Sequence, residues 1–287
     1  MDDWILTHEP VVRLVAFAGV LLLLGSLERV APRRPLLTPT LPRWGRNLTL
    51  VVLNTLVTRG VALLVPVAAV STALFVEARG FGLLHAASLP RWASALVAVV
   101  LLDLAVYLQH VLFHAAPALW RVHRVHHADL DFDATTGTRF HPIEIVLSMA
   151  IKSAAVALIG APPAAVIAFE VVLNATSMFN HSNLRVPAEL DRVVRWLVVT
   201  PDMHRVHHST DPSELNRNFG FNLPWWDRLL GTYKAQPQAG HEGMTIGIEE
   251  VQDPARLTLL RLLALPFVDL RHPSGSPRAP APQEART

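Results

Sequence analysis

The sequence has 287 residues, 51% of them apolar and 17% charged, with a formal net charge of +2 and a positive mean hydropathy. Apolar residues bunched into long runs point to membrane spans rather than a soluble enzyme, and so small a charge gives no reason to expect a nucleic-acid partner. The absence of cysteine excludes disulfides, thiolate zinc sites, cysteine nucleophiles and cysteine-held iron–sulfur clusters.

The chain opens Met1-Asp2-Asp3, without a basic leader region, and no small-residue cleavage site follows. Residues 11–30, apolar from Leu14 to Leu24, therefore read as a retained first helix. A proline-rich connection carries Arg29, Arg33, Arg34, Arg43 and Arg46. Residues 48–76 form a second candidate span interrupted by Pro66, and residues 92–114 a third. Residues 143–160 and 163–180 are two shorter apolar helices on either side of Gly160-Ala161-Pro162-Pro163; near the lower length limit for spanning, they suit a hairpin that crosses or re-enters. Residues 254–270 look amphipathic, as an interfacial helix would. The tail from Pro273 is rich in proline, alanine and serine and is expected to be disordered.

The five arginines place the first connection in the cytoplasm by the positive-inside rule. Counting spans from there puts 115–142 and 181–287 on that same side. The expected fold is all-α: a polytopic bundle of about four to five membrane helices under a cytoplasmic, histidine-rich helical cap. Its expected parts are membrane helices over 1–91, a catalytic domain over 92–250, the amphipathic helix at 251–270 and the tail at 271–287.

Histidine is the unusual residue. His110 and His114 are four apart, and H-x-x-H-H occurs at His123-Arg-Val-His126-His127 and again at His204-Arg-Val-His207-His208. On a helix, residues four apart lie about 40° apart around the axis, and all three histidines of an H-x-x-H-H motif fall within about 100°. One short helix can thus aim three imidazoles at one point. Pro201 and Asp202 suit the first turn of the last such helix. With 14 histidines in 287 residues, a random chain would hold roughly 0.03 copies of the motif. Metal ligation explains the repetition, and nine or ten imidazoles suit two ions. Ligand type alone leaves iron, zinc, copper and nickel open. Ligating imidazoles also need partners on their other nitrogen, for which Asp103, Asp129, Asp131, Asp133 and Asp211 are candidates. His8, His85, His241 and His272 read as interfacial or hydrogen-bonded residues.

Around these motifs the chain resembles the fatty acid hydroxylase / sterol desaturase superfamily. The resemblance extends to Arg139-Phe140-His141-Pro142-Ile143-Glu144, His181-Ser182-Asn183, the block from Thr200 to His208, Asn218-Phe219-Gly220 and the segment from Trp226 to Thr232. It covers roughly residues 95–233. It implies two iron ions, with O2 as co-substrate, attacking an unactivated C–H bond of a lipid. The implied ligands are His110, His114, His123, His126, His127, His204, His207 and His208, joined by His181. Some members carry a paired histidine where this chain has Ser177; His141, or a water, would then complete the set.

O2 activation needs two electrons. The sequence shows no Gly-rich dinucleotide fingerprint, cysteine cluster or His-Pro-Gly-Gly element. A separate ferredoxin- or cytochrome-type donor with its reductase is therefore expected, with Arg121, Arg124 and Arg205 as candidate contacts for an acidic partner. Trp225 and Trp226 beside Arg228 would seat the cap at headgroup level. The expected activity is O2-dependent hydroxylation or desaturation of a lipid, in the bacterial cytoplasmic membrane, with the site facing the cytoplasm. Rival readings are a zinc-dependent membrane hydrolase or transporter and an inactive lipid-binding homologue.

Overall fold

Long apolar runs become helices because lipid offers no partner to backbone N–H and C=O groups, and prolines and glycines decide where those helices stop. In the computed structural model, which describes residues 2–64 and 68–270, the helices are α1 Asp2–Thr7, α2 Glu9–Val30, α3 Thr40–Leu64, α4 Ala69–Arg79, α5 Leu83–Ala86, α6 Arg91–Ala115, α7 Pro117–His127, α8 Pro142–Ile159, α9 Pro163–Asn180, α10 Ala188–Val194 and α11 Pro201–His207. Four short ones follow: α12 Pro212–Leu215, α13 Trp225–Leu229, α14 Gly240–Gly243 and α15 Leu259–Ala264. Among the described residues there are no strands, only isolated bridges such as Pro32 with Leu184. Pro66 and the tail expected to be disordered lie outside the described residues.

Helices α2, α6, α8 and α9 are long and apolar enough to cross a membrane, with 22, 25, 18 and 18 residues. At the helical rise they measure about 33, 38, 27 and 27 Å, enough for a bilayer core of about 30 Å with some local thinning at the shorter pair. Less than half of each apolar window is buried inside the protein, 17% in α2 and 44% in α9. Their outward faces carry Leu22, Leu96 and Leu158, all exposed. The expected second span at 48–76 is instead two helices, α3 and α4. Helix α3 starts earlier than expected, at Thr40, because Arg43 is buried against carboxylates and not left in a solvated loop.

Two features of this arrangement set the site. Helix α8 ends at Gly160, whose φ of +71° is left-handed, and its tip meets Gly82. A Cβ on Gly82 would lie 2.4 Å from the Gly160 Cα, so the hairpin tip closes only on glycine. At the other end, Pro117 forbids Ala116 the helical conformation; Ala116 is extended (φ −95°, ψ 116°), and α6 stops as α7 begins at Pro117. One non-helical residue thus folds α7 back over the last turns of α6.

The cap is held by buried ion pairs. Arg43 of α3 reaches Asp129 (3.3 Å) and Asp133, while Asp131 accepts from Leu37 N and Thr38 N at 2.8 Å each. Glu28, near the end of α2, accepts from Ala134 N (2.8 Å) and Asn183 N (2.7 Å). The loop between α7 and α8 is thereby tied to the first two long helices. The segment 254–270 is not one amphipathic helix: Pro266 confines it to short turns around α15, with Leu257, Leu262 and Leu265 buried against Leu50 and Val125.

Candidate metal centre

The predicted histidines converge. His110 and His114 lie on one face of the last turns of α6, His123, His126 and His127 on α7, His181 caps α9, and His204 and His207 lie on α11 with His208 at its end. They form two groups. His110, His114, His123, His127 and His207 make one; His126, His181, His204 and His208 make the other; within each, the ligand atoms lie within 4.8 Å of one another. Each H-x-x-H-H motif is split, which corrects the expectation of three rings aimed at one point. Helix α7 gives its first and last histidines to the five-membered group and the middle one to the other; α11 does the reverse. The physical reason is that neighbouring residues stand about 100° apart on a helix, so adjacent rings such as His126 and His127, 89° apart in plane, serve different centres.

Backbone carbonyls fix the rings. Nδ1–H of His110 donates to Phe219 O (2.7 Å), that of His126 to Arg139 O (3.3 Å), that of His181 to Ser177 O (2.7 Å) and that of His207 to Arg217 O (2.8 Å). Nδ1–H of His123 donates to the Glu144 carboxylate at 2.6 Å. In neutral rings so arranged, Nε2 carries only a lone pair. Yet Nε2 of His110 faces Nε2 of His123 at 3.1 Å, and Nε2 of His181 faces Nε2 of His126 at 3.0 Å. Facing lone pairs repel unless a cation lies between them. Two nitrogens bound at right angles to one ion, each about 2.1 Å away, would lie about 3.0 Å apart. Both nitrogens of His204 and Nε2 of His207 are buried without a hydrogen-bond partner. The donor set therefore fits two imidazole-bound ions.

Burial, and then the neighbouring imidazoles, hold His126, His127, His204, His207 and His208 well below the ordinary histidine range. Burial pushes His181 down to about 3. The rings are thus neutral near pH 7, the form a metal requires. Phe132, Phe140, Phe219 and Phe221 pack against them and exclude water.

His141 does not join the groups. It is the N-cap of α8, accepting from Ile143 N (3.1 Å) on Nδ1 and donating from Nε2 to Leu263 O (3.2 Å). The aspartates expected behind the ligands serve elsewhere. Asp129, Asp131 and Asp133 hold Arg43, Asp103 accepts from Trp226 Nε1 (2.8 Å), and Asp211 caps α12. The carboxylate that does stand behind a converging histidine, Glu144 behind His123, stood in the motif from Arg139 without a role. Its position in the first turn of a helix, three residues past His141, was the available signal. Nor are all three candidate docking arginines free. Arg205 is fully buried, pairing with Asp202 and donating to Ser182 O (3.1 Å), and Arg124 is buried against Leu265 O (2.6 Å) and Val268 O (2.5 Å); Arg121, on the surface, donates to Pro266 O at 2.7 Å.

The closing motifs have a structural meaning. Asp227 accepts from Phe219 N and Gly220 N at 2.8 Å each and from Thr232 Oγ1 at 2.6 Å. It thereby sets the Phe219 carbonyl on His110. Of the two tryptophans expected at headgroup level, Trp225 is exposed and Trp226 is tied to Asp103.

Residues 95–232 match the fatty acid hydroxylase family. The chain is 31% identical over 150 residues to an ornithine lipid hydroxylase of Rhizobium tropici, covering 52% of this chain and 44% of that protein. It is 28% identical over 158 residues to the alkylglycerol monooxygenase of Homo sapiens (54% and 33%), and 28% over 151 residues to the cholesterol 25-hydroxylase of Rattus norvegicus (51% and 49%). The chain thus spans less than half the length of each of these relatives. No solved structure matches it. The part of the chain that matches the fatty acid hydroxylase family, from 95 to 232, is the part that contains all nine converging histidines.

Proposed function

We propose that the protein hydroxylates a membrane lipid with O2 at a pair of iron ions held by the nine converging imidazoles. The observation that carries this reading is the facing of Nε2 lone pairs at 3.0 and 3.1 Å inside a buried site, at the ends of helices long and apolar enough to cross a membrane. The relatives named as hydroxylases and monooxygenases of lipids support hydroxylation over desaturation. Iron bound there would supply the oxidant for an unactivated C–H bond, which no side chain can provide. The protein supplies the rest. His110, His123, His126, His181 and His207 are fixed as Nε2 ligands by their Nδ1 bonds, and the phenylalanines keep the site dry. Helices α6, α8 and α9 would hold the apolar part of the substrate with its reacting carbon near the ends of α6 and α9.

The reaction, R–H + O2 + 2 e⁻ + 2 H⁺ → R–OH + H2O, takes its electrons from a separate donor protein of ferredoxin or cytochrome type. The arginines that follow α2 support a site on the cytoplasmic side by the positive-inside rule. The test is metal analysis of the purified protein together with mass spectrometry of lipids from cells with and without it. Iron near two equivalents and a lipid gaining 16 mass units are expected; in His204→Ala the lipid product should be lost and iron should fall to about one equivalent. A zinc-only protein that turns over without reductant would overturn the reading, and a loss of 2 mass units would replace hydroxylation by desaturation.

A further inference from the structure

The two groups of imidazoles are built differently. Both groups have rings that donate to backbone carbonyls, His126 and His181 in the four and His110 and His207 in the five, and both have an Nδ1 without a hydrogen-bond partner, that of His208 and that of His127. In the group of five, His123 donates at 2.6 Å to a carboxylate, Glu144. Glu144 is buried, and its other oxygen has no hydrogen-bond partner. It sits in the first turn of α8, one position past Ile143, whose N–H bonds the capping His141. A helix N-terminus favours a negative charge there. Among the described residues, no other converging histidine hydrogen-bonds to a carboxylate.

A carboxylate behind an imidazole raises its basicity and locks its orientation. A buried carboxylate close to one cation position also stabilises charge at that position more than at its neighbour. We propose that Glu144 makes the five-imidazole site the tighter of the two, so that divalent ions fill it before the four-imidazole site. The inference rests on the dinuclear reading above and assigns Glu144 a positioning role through His123. Ordered filling would leave the four-imidazole group, which has fewer nitrogen donors, as the site that fills last.

The test is a Co2+ titration of the metal-free full chain in detergent, read by visible absorption. Two phases are expected. His127→Ala should remove the tight one, and His204→Ala should remove the weak one and spare the tight one. Glu144→Gln, which keeps the shape and loses the charge, should weaken the tight phase by about 10- to 100-fold and leave the weak phase in place. Glu144→Asp serves instead if the glutamine variant does not fold. The inference is overturned if wild-type protein fills both sites with equal affinity, if His204→Ala abolishes the tight phase, or if the Glu144 variants leave the tight phase unchanged. In each of those cases the dinuclear reading stands. Wild-type protein that takes up no Co2+ would sink that reading itself.

Discussion

In the membrane helices the large apolar side chains face outward, with Leu22 of α2 70% exposed, whereas in the cap Arg43, Arg139, Arg205 and nearly all the clustered histidines are buried. The bundle relies on lipid to cover what it does not bury. The cap has no such solvent and must satisfy each charge internally, through pairs such as Arg43 with Asp129 and Asp133. A buried pair is weak evidence of net stabilisation, yet breaking one leaves an uncompensated charge. Single substitutions should therefore cost most in the cap and least on the bundle surface.

The largest effect is expected for Arg43→Met. It takes the paired cation from buried Asp133 and one of two from buried Asp129, which keeps Arg139 at 3.7 Å, and should cost about 3–5 kcal/mol, seen as a large fall in Tm in detergent. An unchanged Tm would mean that the cap does not depend on this network. Acid should act next on metal-free protein. His181, held by burial at about 3 against an ordinary 6.5, takes up a proton more readily unfolded than folded. The stability it contributes is complete above about pH 6.5 and is lost as pH falls toward about 3. The cap should loosen across that window while the membrane helices keep their circular dichroism. Loss of both together would erase the contrast.

A smaller effect is expected within the bundle at Glu170, which pairs with Arg13 (2.5 Å) and with Lys152 and so links α9 to α2 and α8. These side chains are 13–29% exposed, so Glu170→Gln should lower stability by about 1 kcal/mol, with metal content unchanged. Smallest of all, Leu22→Ala on the outward face should stay within about 0.5 kcal/mol; a loss of several would show that this face is covered by protein.

Much of the bundle was legible because hydropathy and helix length are local properties. The runs at 11–30, 92–114, 143–160 and 163–180 became α2, α6, α8 and α9 within two residues at each end. Nine of the ten candidate ligands came together, since i, i+3 and i+4 spacing fixes which rings share a helix face. The sequence by itself determined the elements, their breaks at Pro117 and Gly160, and the chemical type of the site. Tertiary structure alone decided how each H-x-x-H-H motif divides between two groups of imidazoles, that His141 caps a helix, and that Glu144 rather than a neighbouring aspartate stands behind one of the converging rings. Those outcomes depend on the crossing of α6, α7, α8 and α11, that is, on contacts between residues as far apart as His110 and Phe219. Helical periodicity specifies the direction in which a side chain leaves its own helix and carries no information about what waits there.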